Sequence, residues 1–218
     1  MRPTFFSEDY ITQRLIEAYR EQTEPIKLWD FITDSPRPAA VLIPLFIDKS
    51  TDGEEKGWQV LLTRRTDSVA EHQGQVAFPG GRADPADTTP EMTALREAKE
   101  EIGLDPTQIR ILGRMQSMHT ISNYIVTPIV GVIPWPFSIH LEETEVSRVF
   151  SIPLNWLADP QNHEIRNRSI PEAFVKLLHK ENYPVIYFLP YNNELLWGVS
   201  AEITIRLIEI LYKKKASD

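Results

Sequence analysis

Three glutamates, Glu97, Glu100 and Glu101, stand close together in the segment REAKEEIGL, and Arg96 precedes them. On an α-helix, residues three and four positions apart share a face, so the three carboxylates would lie together. Like charges on one face are destabilising unless a cation neutralises them. Hard divalent ions such as Mg²⁺ prefer carboxylate oxygens and keep coordination positions for a phosphate. The segment therefore predicts a metal site for phosphate chemistry. The plainer interpretation is a solvated acidic face in which Arg96 and Lys99 are intrahelical partners.

The element that must hold these carboxylates is a helix with defined ends. Pro90 suits the first turn, where its missing N–H costs no hydrogen bond, and Thr89 before it is a suitable N-cap. Gly103 lies where a left-handed residue would end the helix. The helical positions expected to face a core are Met92, Leu95, Ala98 and Ile102.

Residues 81–104 resemble the Nudix box, whose consensus is G-x5-E-x7-R-E-U-x-E-E-x-G-U with U an aliphatic residue. The matches in the second half are Arg96, Glu97, Ala98, Glu100, Glu101, Gly103 and Leu104. In the first half, a one-residue insertion restores Gly81 as the box glycine and puts Asp87 at the first acidic position, which is usually structural. The resemblance implies an α/β/α sandwich and a hydrolase of P–O–P bonds that needs Mg²⁺ or Mn²⁺. The implied metal ligands are Glu97, Glu100, Glu101 and the Gly81 carbonyl.

The resemblance also implies a base for the attacking water. Glu100 or Glu97 would take the proton, and family members often recruit a further glutamate from a distant loop as base or ligand. The candidates in this chain are Glu142, Glu143 and Glu145, of which Glu145 is nearest the following strand. The plainer interpretation of these three residues is a solvated acidic loop.

Arginines supply the remaining expected contacts. Arg96 either holds a box carboxylate in position, which we favour, or contacts phosphate directly. Phosphate contacts are expected from Arg65, Arg64 or Arg82, which stand before and within the glycine-containing loop.

A narrower resemblance lies upstream, in residues 61–65 and 72–81. These are similar to the segment LLTxR-[SA]-x3-R-x3-G-x3-FPGG, which marks the coenzyme A pyrophosphatase branch. Thr63, Arg65, Gly74 and residues 78–81 fit the pattern, while Thr66 replaces its small residue. Ala70 stands where the branch has an arginine, which would be a natural phosphate partner. The resemblance implies hydrolysis of coenzyme A or an acyl-CoA to 3′,5′-ADP and 4′-phosphopantetheine.

Two alternatives to this substrate stay open at the level of the sequence. One is a diphosphatase for ADP-ribose, dinucleotides or nucleotide sugars, and the other is a Nudix-fold module that binds a nucleotide without cleaving it. A wide pocket would favour coenzyme A, whereas a tight aromatic clamp would favour ADP-ribose. Trp135, Phe137 and Trp156 could build either pocket.

Composition excludes several other classes of protein. The 218 residues, 42% hydrophobic and 25% charged, suit one domain with a core of its own or a domain with an extension. A formal net charge of −8 without a long basic track argues against nucleic-acid binding. The chain has no cysteine, so disulfides, zinc–thiolate sites and thiol nucleophiles are excluded. No signal-peptide pattern or long apolar span is seen, so we expect a cytoplasmic protein without a membrane contact.

Hydrophobic periodicity predicts strands, then the box helix, then strands and a final helix. Strands are predicted over 39–47, 58–63, 76–78, 109–118, 124–133, 146–152 and 163–168, a short helix over 155–158, a hairpin over 185–198, and an amphipathic helix over 201–212. The loop 119–123 could approach the site. This order indicates the α+β class, with helices covering a mixed sheet.

The N-terminal segment precedes this pattern. Residues 8–30 have apolar side chains at helical spacing and are expected to form an amphipathic helix, which packs on the domain or on the second subunit of a homodimer. A linker signal follows at 35–38. We therefore expect an N-terminal helical extension over 1–36 and a Nudix hydrolase domain over 37–218.

Overall fold

Strand β2 (Arg37–Ile47) runs through the centre of the protein in the computed structural model, which describes residues 6–22, 26–27, 35–48, 57–66, 74–169 and 182–213. Its side chains alternate between two apolar clusters, as the period of a strand requires. Ala40 and Leu42 pack on one face of the sheet, and Ile43 and Leu45 on the other. A strand that is covered on both faces needs helices on both sides, and this determines the layered arrangement.

The main sheet is mixed. Among the described residues its strands are β1 (Ile26–Lys27), β2, β3 (Trp58–Arg65), β4 (Val76–Ala77), β5 (Gly80–Arg82), β6 (Arg110–Arg114), β7 (Met118–His119), β8 (Tyr124–Val132) and β9 (Val146–Pro153). The order is β1-β7-β8-β2-β3-β4, with β5 on β2, β6 on β8 and β9 on β3. β2 pairs with β8 in parallel from Arg37↔Tyr124 to Leu45↔Val132, whereas β2 and β3 are antiparallel.

Helices cover both faces of this sheet. Helix α2 (Pro90–Ile102) buries Ala94, Ala98 and Ile102 against the β2 face that carries Leu42. Helices α1 (Glu8–Glu21) and α4 (Gly198–Tyr212) cover the opposite face. The predicted α+β class and α/β/α sandwich are confirmed.

The N-terminal helix packs on its own chain. Ile11 and Leu15 are fully buried in the same cluster as Leu211 of α4. The Arg14 Nε donates to the carbonyl of Ile210 at 2.9 Å, and the Trp58 indole donates to the Phe6 carbonyl at 2.7 Å. α1 ends at Glu21, earlier than predicted, and residues 28–30 lie outside the described residues.

Helix α2 begins and ends where the sequence predicts. The Thr89 Oγ1 accepts a hydrogen bond from the Met92 N–H at 3.2 Å, and Gly103 has a φ of +75°. The prediction that Met92 faces the core was wrong, because its side chain is 46% exposed. Met92 lies two residues from buried Ala94, which places it on nearly the opposite side of the helix.

Two other element boundaries differ from prediction. The single strand expected over 109–118 is divided into β6 and β7, with a register shift between Ile111 and Gly113. α4 begins at Gly198, three residues before the predicted start, with Trp197 as its N-terminal cap residue.

A second, two-stranded sheet stands beside the main one. Strands β10 (His163–Ser169) and β11 (Asn182–Phe188) pair antiparallel from His163↔Phe188 to Ser169↔Asn182, and the short helix α3 (Leu154–Leu157) precedes them. The predicted turn after β11 is present, since Asn192 and Asn193 both have positive φ. The Phe188 N–H donates to the Leu196 carbonyl at 2.9 Å across that turn.

Candidate active site

The glycine pair of β5 lies against the carboxylates of α2. The Gly80 N–H donates to Glu101 Oε2 at 3.2 Å. A Cβ added to Gly81 would lie 2.6 Å from the Glu97 carboxyl carbon, so only a glycine lets the loop approach this closely. β5 itself is held by antiparallel pairing of Gly81 with Ala40. The loop and the box helix therefore form one unit.

The three box glutamates differ sharply in exposure. Glu101 is only 4% exposed, the Glu97 side chain is 16% exposed and the Glu100 side chain is 59% exposed. The exposure of the three carboxylates on the predicted common face thus increases from Glu101 in the core to Glu100 at the solvent. The pKa of Glu101 is raised to about 8, chiefly by burial; the charges of Glu97 and Glu145 contribute to the rise, and the Gly80 N–H and Arg65 oppose it. Burial also raises the pKa of Glu97.

We expect the metal-free protein to lose stability as pH rises toward 8, because of Glu101. Its pKa in the folded protein is about 8 and its ordinary value is 4.5, so the folded protein holds a proton that the unfolded chain releases. Stability from this group is full below 4.5 and is lost as pH rises through 8, at up to about 1.4 kcal/mol per pH unit. Chemical denaturation from pH 5 to 8 in chelator measures the slope. The Glu101→Gln variant should show a shallower slope, and identical slopes would contradict the assignment.

Arg96 connects the box carboxylates. Its Nη2 donates to Asp87 Oδ2 at 3.0 Å, and its Nη1 lies 2.9 Å from Glu97 Oε1 and 2.8 Å from Glu100 Oε2. Nη2 also donates to the Arg82 carbonyl at 3.0 Å. The guanidinium holds the pKa of Asp87 below its ordinary range. Arg96 thus contacts carboxylates, as the favoured interpretation expects, and Asp87 occupies the place of the first box acid.

A distant loop brings Glu145 to the same helix. The Glu142 N–H donates to the Glu101 carbonyl at 3.0 Å, and the His140 N–H donates to that of Ile102 at 3.2 Å, so the loop docks on the end of α2. The Glu145 carbonyl accepts from the Thr66 N–H at 2.9 Å. The charge of Glu145 raises the pKa of both Glu97 and Glu101, which places it within electrostatic reach of them. The Glu142 carboxylate instead accepts from the Thr144 hydroxyl at 2.7 Å.

A cavity of about 760 Å³ opens beside the glycine pair. One part of its lining comes from the main sheet, including Gly80, Gly81 and Tyr124, and another from β10, β11 and the start of α4. Thr120, Ile121 and Ser122 also line it, so the loop 119–123 reaches the site as predicted. The volume lies within the range of about 300–1,000 Å³ that is usual for small-molecule sites.

Two of the three predicted phosphate-binding arginines lie at the cavity, and the third lies elsewhere. Arg65 and Arg82 line the cavity, and the buried Nε of Arg65 has no hydrogen-bond partner among the described residues. Arg64 is not part of the lining, and its Nη1 lies 3.3 Å from buried Glu194. Successive residues of a strand point to opposite faces, which explains why Arg64 and Arg65 have different surroundings.

The aromatic residues proposed from the sequence lie elsewhere. Trp135 stacks on Phe46 at 4.1 Å and packs beside Phe137, and Trp156 contacts Tyr191 at 5.0 Å. These side chains pack against the two cores because their segments cross the far ends of the sheet. The cavity is lined instead by Tyr124, Tyr183 and Trp197, which the sequence reasoning missed; Arg168 was missed as well. No local motif marks these four residues.

The donor set suits a hard divalent ion. Glu101 is buried and Glu97 is half-buried, burial raises the pKa of both carboxyl groups, and the neighbouring donors are carboxylate and carbonyl oxygens. Across the described ranges, no three acidic or histidine side chains already stand close enough to chelate an ion. Glu100 is turned to Arg96 at 2.8 Å, so ion binding would require it to turn back.

The fold, the box helix and the glycine loop define a class of phosphate-anhydride hydrolases. The NUDIX domain pattern matches residues 36–177, more than half of the chain, and the chain belongs to the Nudix hydrolase family.

Relatives and a solved structure agree with this membership. The chain is 33% identical over 178 residues to the uncharacterized Nudix hydrolase NudL of Photorhabdus laumondii, which covers 82% of this chain and 87% of that protein. It is 36% identical over 181 residues to the NudL of Yersinia pseudotuberculosis, covering 82% of each. The crystal structure of a MutT/nudix family protein from Enterococcus faecalis has a TM-score of 0.52 at 18% identity, covering 95% of this chain and 73% of that one, and supports the fold.

Within the part of the chain that the structure describes, no helix is both long and apolar enough to cross a membrane.

Proposed function

We propose that this Nudix hydrolase cleaves the pyrophosphate bond of coenzyme A or an acyl-CoA, with Mg²⁺ or Mn²⁺, to 3′,5′-ADP and 4′-phosphopantetheine. The choice of coenzyme A rests on the cavity of about 760 Å³, which extends from the glycine pair to the β10–β11 sheet. It is roomy enough for an extended substrate.

The residues beside the glycine pair account for binding of the diphosphate. Arg65 and Arg82 would contact its oxygens, since both line the cavity and Arg65 has an unsatisfied buried Nε. The Ala70 position, where the branch has an arginine, lies outside the described residues. Arg65 already stands within electrostatic reach of Glu101, at the place where the reaction would occur.

The carboxylates divide into ligands and a base. Glu97, Glu100, Glu101 and the Gly81 carbonyl would hold the divalent ion, which neutralises the diphosphate and lowers the pKa of bound water. Glu97 and Glu100 both form ion pairs with Arg96, and we assign them to the divalent ion. Glu145 makes no ion pair among the described residues, so we propose that it is the general base that accepts a proton from the attacking water. Arg96 positions Glu97 and Asp87.

Product analysis with a panel of diphosphates tests this proposal. Coenzyme A, ADP-ribose, a diadenosine polyphosphate and a nucleotide sugar are incubated with Mg²⁺, Mn²⁺ or chelator. We expect metal-dependent release of 3′,5′-ADP from coenzyme A, no turnover in chelator, and a kcat/KM for coenzyme A at least about tenfold above the others. The Glu101→Gln protein, purified in parallel, controls for contaminating hydrolases.

Other results would replace the proposal in defined ways. Preference for another diphosphate would keep the hydrolase and reject coenzyme A as its substrate. Binding without turnover of any compound would identify a nucleotide-binding module.

A further inference from the structure

Arg168 reaches the cavity from the second sheet, apart from Arg65 on β3 and Arg82 on β5. It pairs in register with Tyr183, which also lines the cavity. Its guanidinium carbon lies 4.6 Å from the centroid of the Trp197 ring. A cation over an aromatic face is held in place by the ring quadrupole. The arginine is therefore oriented by its surroundings although it is exposed.

The aromatic support of Arg168 is itself anchored. The rings of Trp197 and Tyr187 are stacked, with centroids 5.4 Å apart and an interplanar angle of 6°. Tyr187 belongs to β11, and a bridge also joins its backbone to that of Trp197. Trp197 leads directly into α4, so the support connects the small sheet to a core helix.

The charge of Arg168 is not balanced within the described residues, where it makes no ion pair. Its neighbour on the same strand face, Arg166, pairs with Glu164 instead and lies over Tyr187. The acidic residue in the described lining is Glu202, and it pairs with Arg206 at 2.6 Å. An oriented arginine without a carboxylate partner is suited to bind a phosphate group.

We propose that Arg168 binds a second anionic group of the substrate, a phosphate monoester that lies outside the diphosphate, and thereby determines specificity. This inference rests on the proposed function, in which Arg65 and Arg82 take the diphosphate. Arginines from two different sheets then hold two separate anionic groups in one cavity. The substrate class is a nucleoside diphosphate derivative with an additional phosphate. Trp197 is a positioning residue that orients the Arg168 guanidinium.

Two substrates that differ by one phosphate test the proposal. Coenzyme A carries a phosphate monoester on its ribose, and dephospho-coenzyme A lacks it. We expect Arg168→Gln to lower kcat/KM for coenzyme A about tenfold or more, through a higher KM, and to change dephospho-coenzyme A less than about twofold. Arg166→Gln is the matched control and should keep the wild-type ratio of kcat/KM between coenzyme A and dephospho-coenzyme A.

A binding measurement makes the test independent of turnover. Metal-free protein is titrated calorimetrically with adenosine 3′,5′-bisphosphate and with 5′-AMP. These two nucleotides differ by one phosphate monoester, as coenzyme A and dephospho-coenzyme A do. The bisphosphate should bind the wild type at least about tenfold more tightly than AMP does, and Arg168→Gln should remove that difference. Arg168→Lys should restore part of it, since the positive charge returns.

Several outcomes would overturn the proposal. An equal fall in kcat/KM for coenzyme A and dephospho-coenzyme A in Arg168→Gln would show that Arg168 has a structural role. Equal affinity of the wild type for the bisphosphate and for AMP would show that the additional phosphate is not recognised. If the wild type hydrolyses neither coenzyme, the proposed substrate fails, and the calorimetric comparison alone decides the role of Arg168.

Discussion

Glu101→Gln should lower kcat by at least about a hundredfold and leave the protein at least as stable as the wild type. The carboxylate lies at the buried end of the box, where it accepts the Gly80 N–H, and its negative charge is what a divalent ion would require. Glutamine keeps an acceptor for that N–H but supplies no charge. Because burial makes the ionised form costly, removal of the charge should maintain or raise the melting temperature at pH 8 without metal.

The measurement pairs kcat at saturating substrate with thermal unfolding. Glu91→Gln is the matched control, because Glu91 lies on the same helix and faces Arg114 at 3.8 Å, away from the cavity. It should retain activity within about twofold. Undiminished metal-dependent turnover in Glu101→Gln would reject the ligand assignment. A fall in both activity and melting temperature would assign Glu101 a structural role.

Gly81→Ala should lower kcat about a hundredfold while the free energy of unfolding changes by less than about 1 kcal/mol. The new methyl group would lie 2.6 Å from the Glu97 carboxyl carbon and from Oε2, closer than atoms can approach. The end of a glutamate side chain can rotate away at little cost to the fold. Such rotation would move Glu97 out of the site, and a displacement of this size is enough to lose catalysis.

Gly80→Ala provides the contrast. Its methyl group would lie 2.4 Å from the Ala40 carbonyl oxygen, which is backbone and cannot rotate away, and the φ of Gly80 is +153°. We expect a loss of about 2 kcal/mol or more in the free energy of unfolding. Urea denaturation and steady-state kinetics on both variants separate the two effects. A Gly81→Ala protein with wild-type kcat would show that Glu97 is not needed where it lies.

The box helix was predictable because its signals are local. The N-cap at Thr89, the proline in the first turn and the left-handed glycine at position 103 each act through backbone groups a few residues away. The same holds for the alternating strands, whose period marks the residues that share a face. Arg64 and Arg65 had to point in opposite directions, although the sequence did not indicate which one faces the cavity.

Tertiary structure decided the properties that depend on distant segments. Glu101 is buried and Glu100 exposed because β5 and the loop that ends at Glu145 pack over only one edge of α2. The cavity exists because a separate two-stranded sheet stands beside the main sheet, and this juxtaposition brings Arg168 and Trp197 to the glycine loop. Sequence alone predicted which residue types would serve metal and phosphate chemistry. Their burial, pKa values and additional partners follow from long-range packing, which no local spacing records.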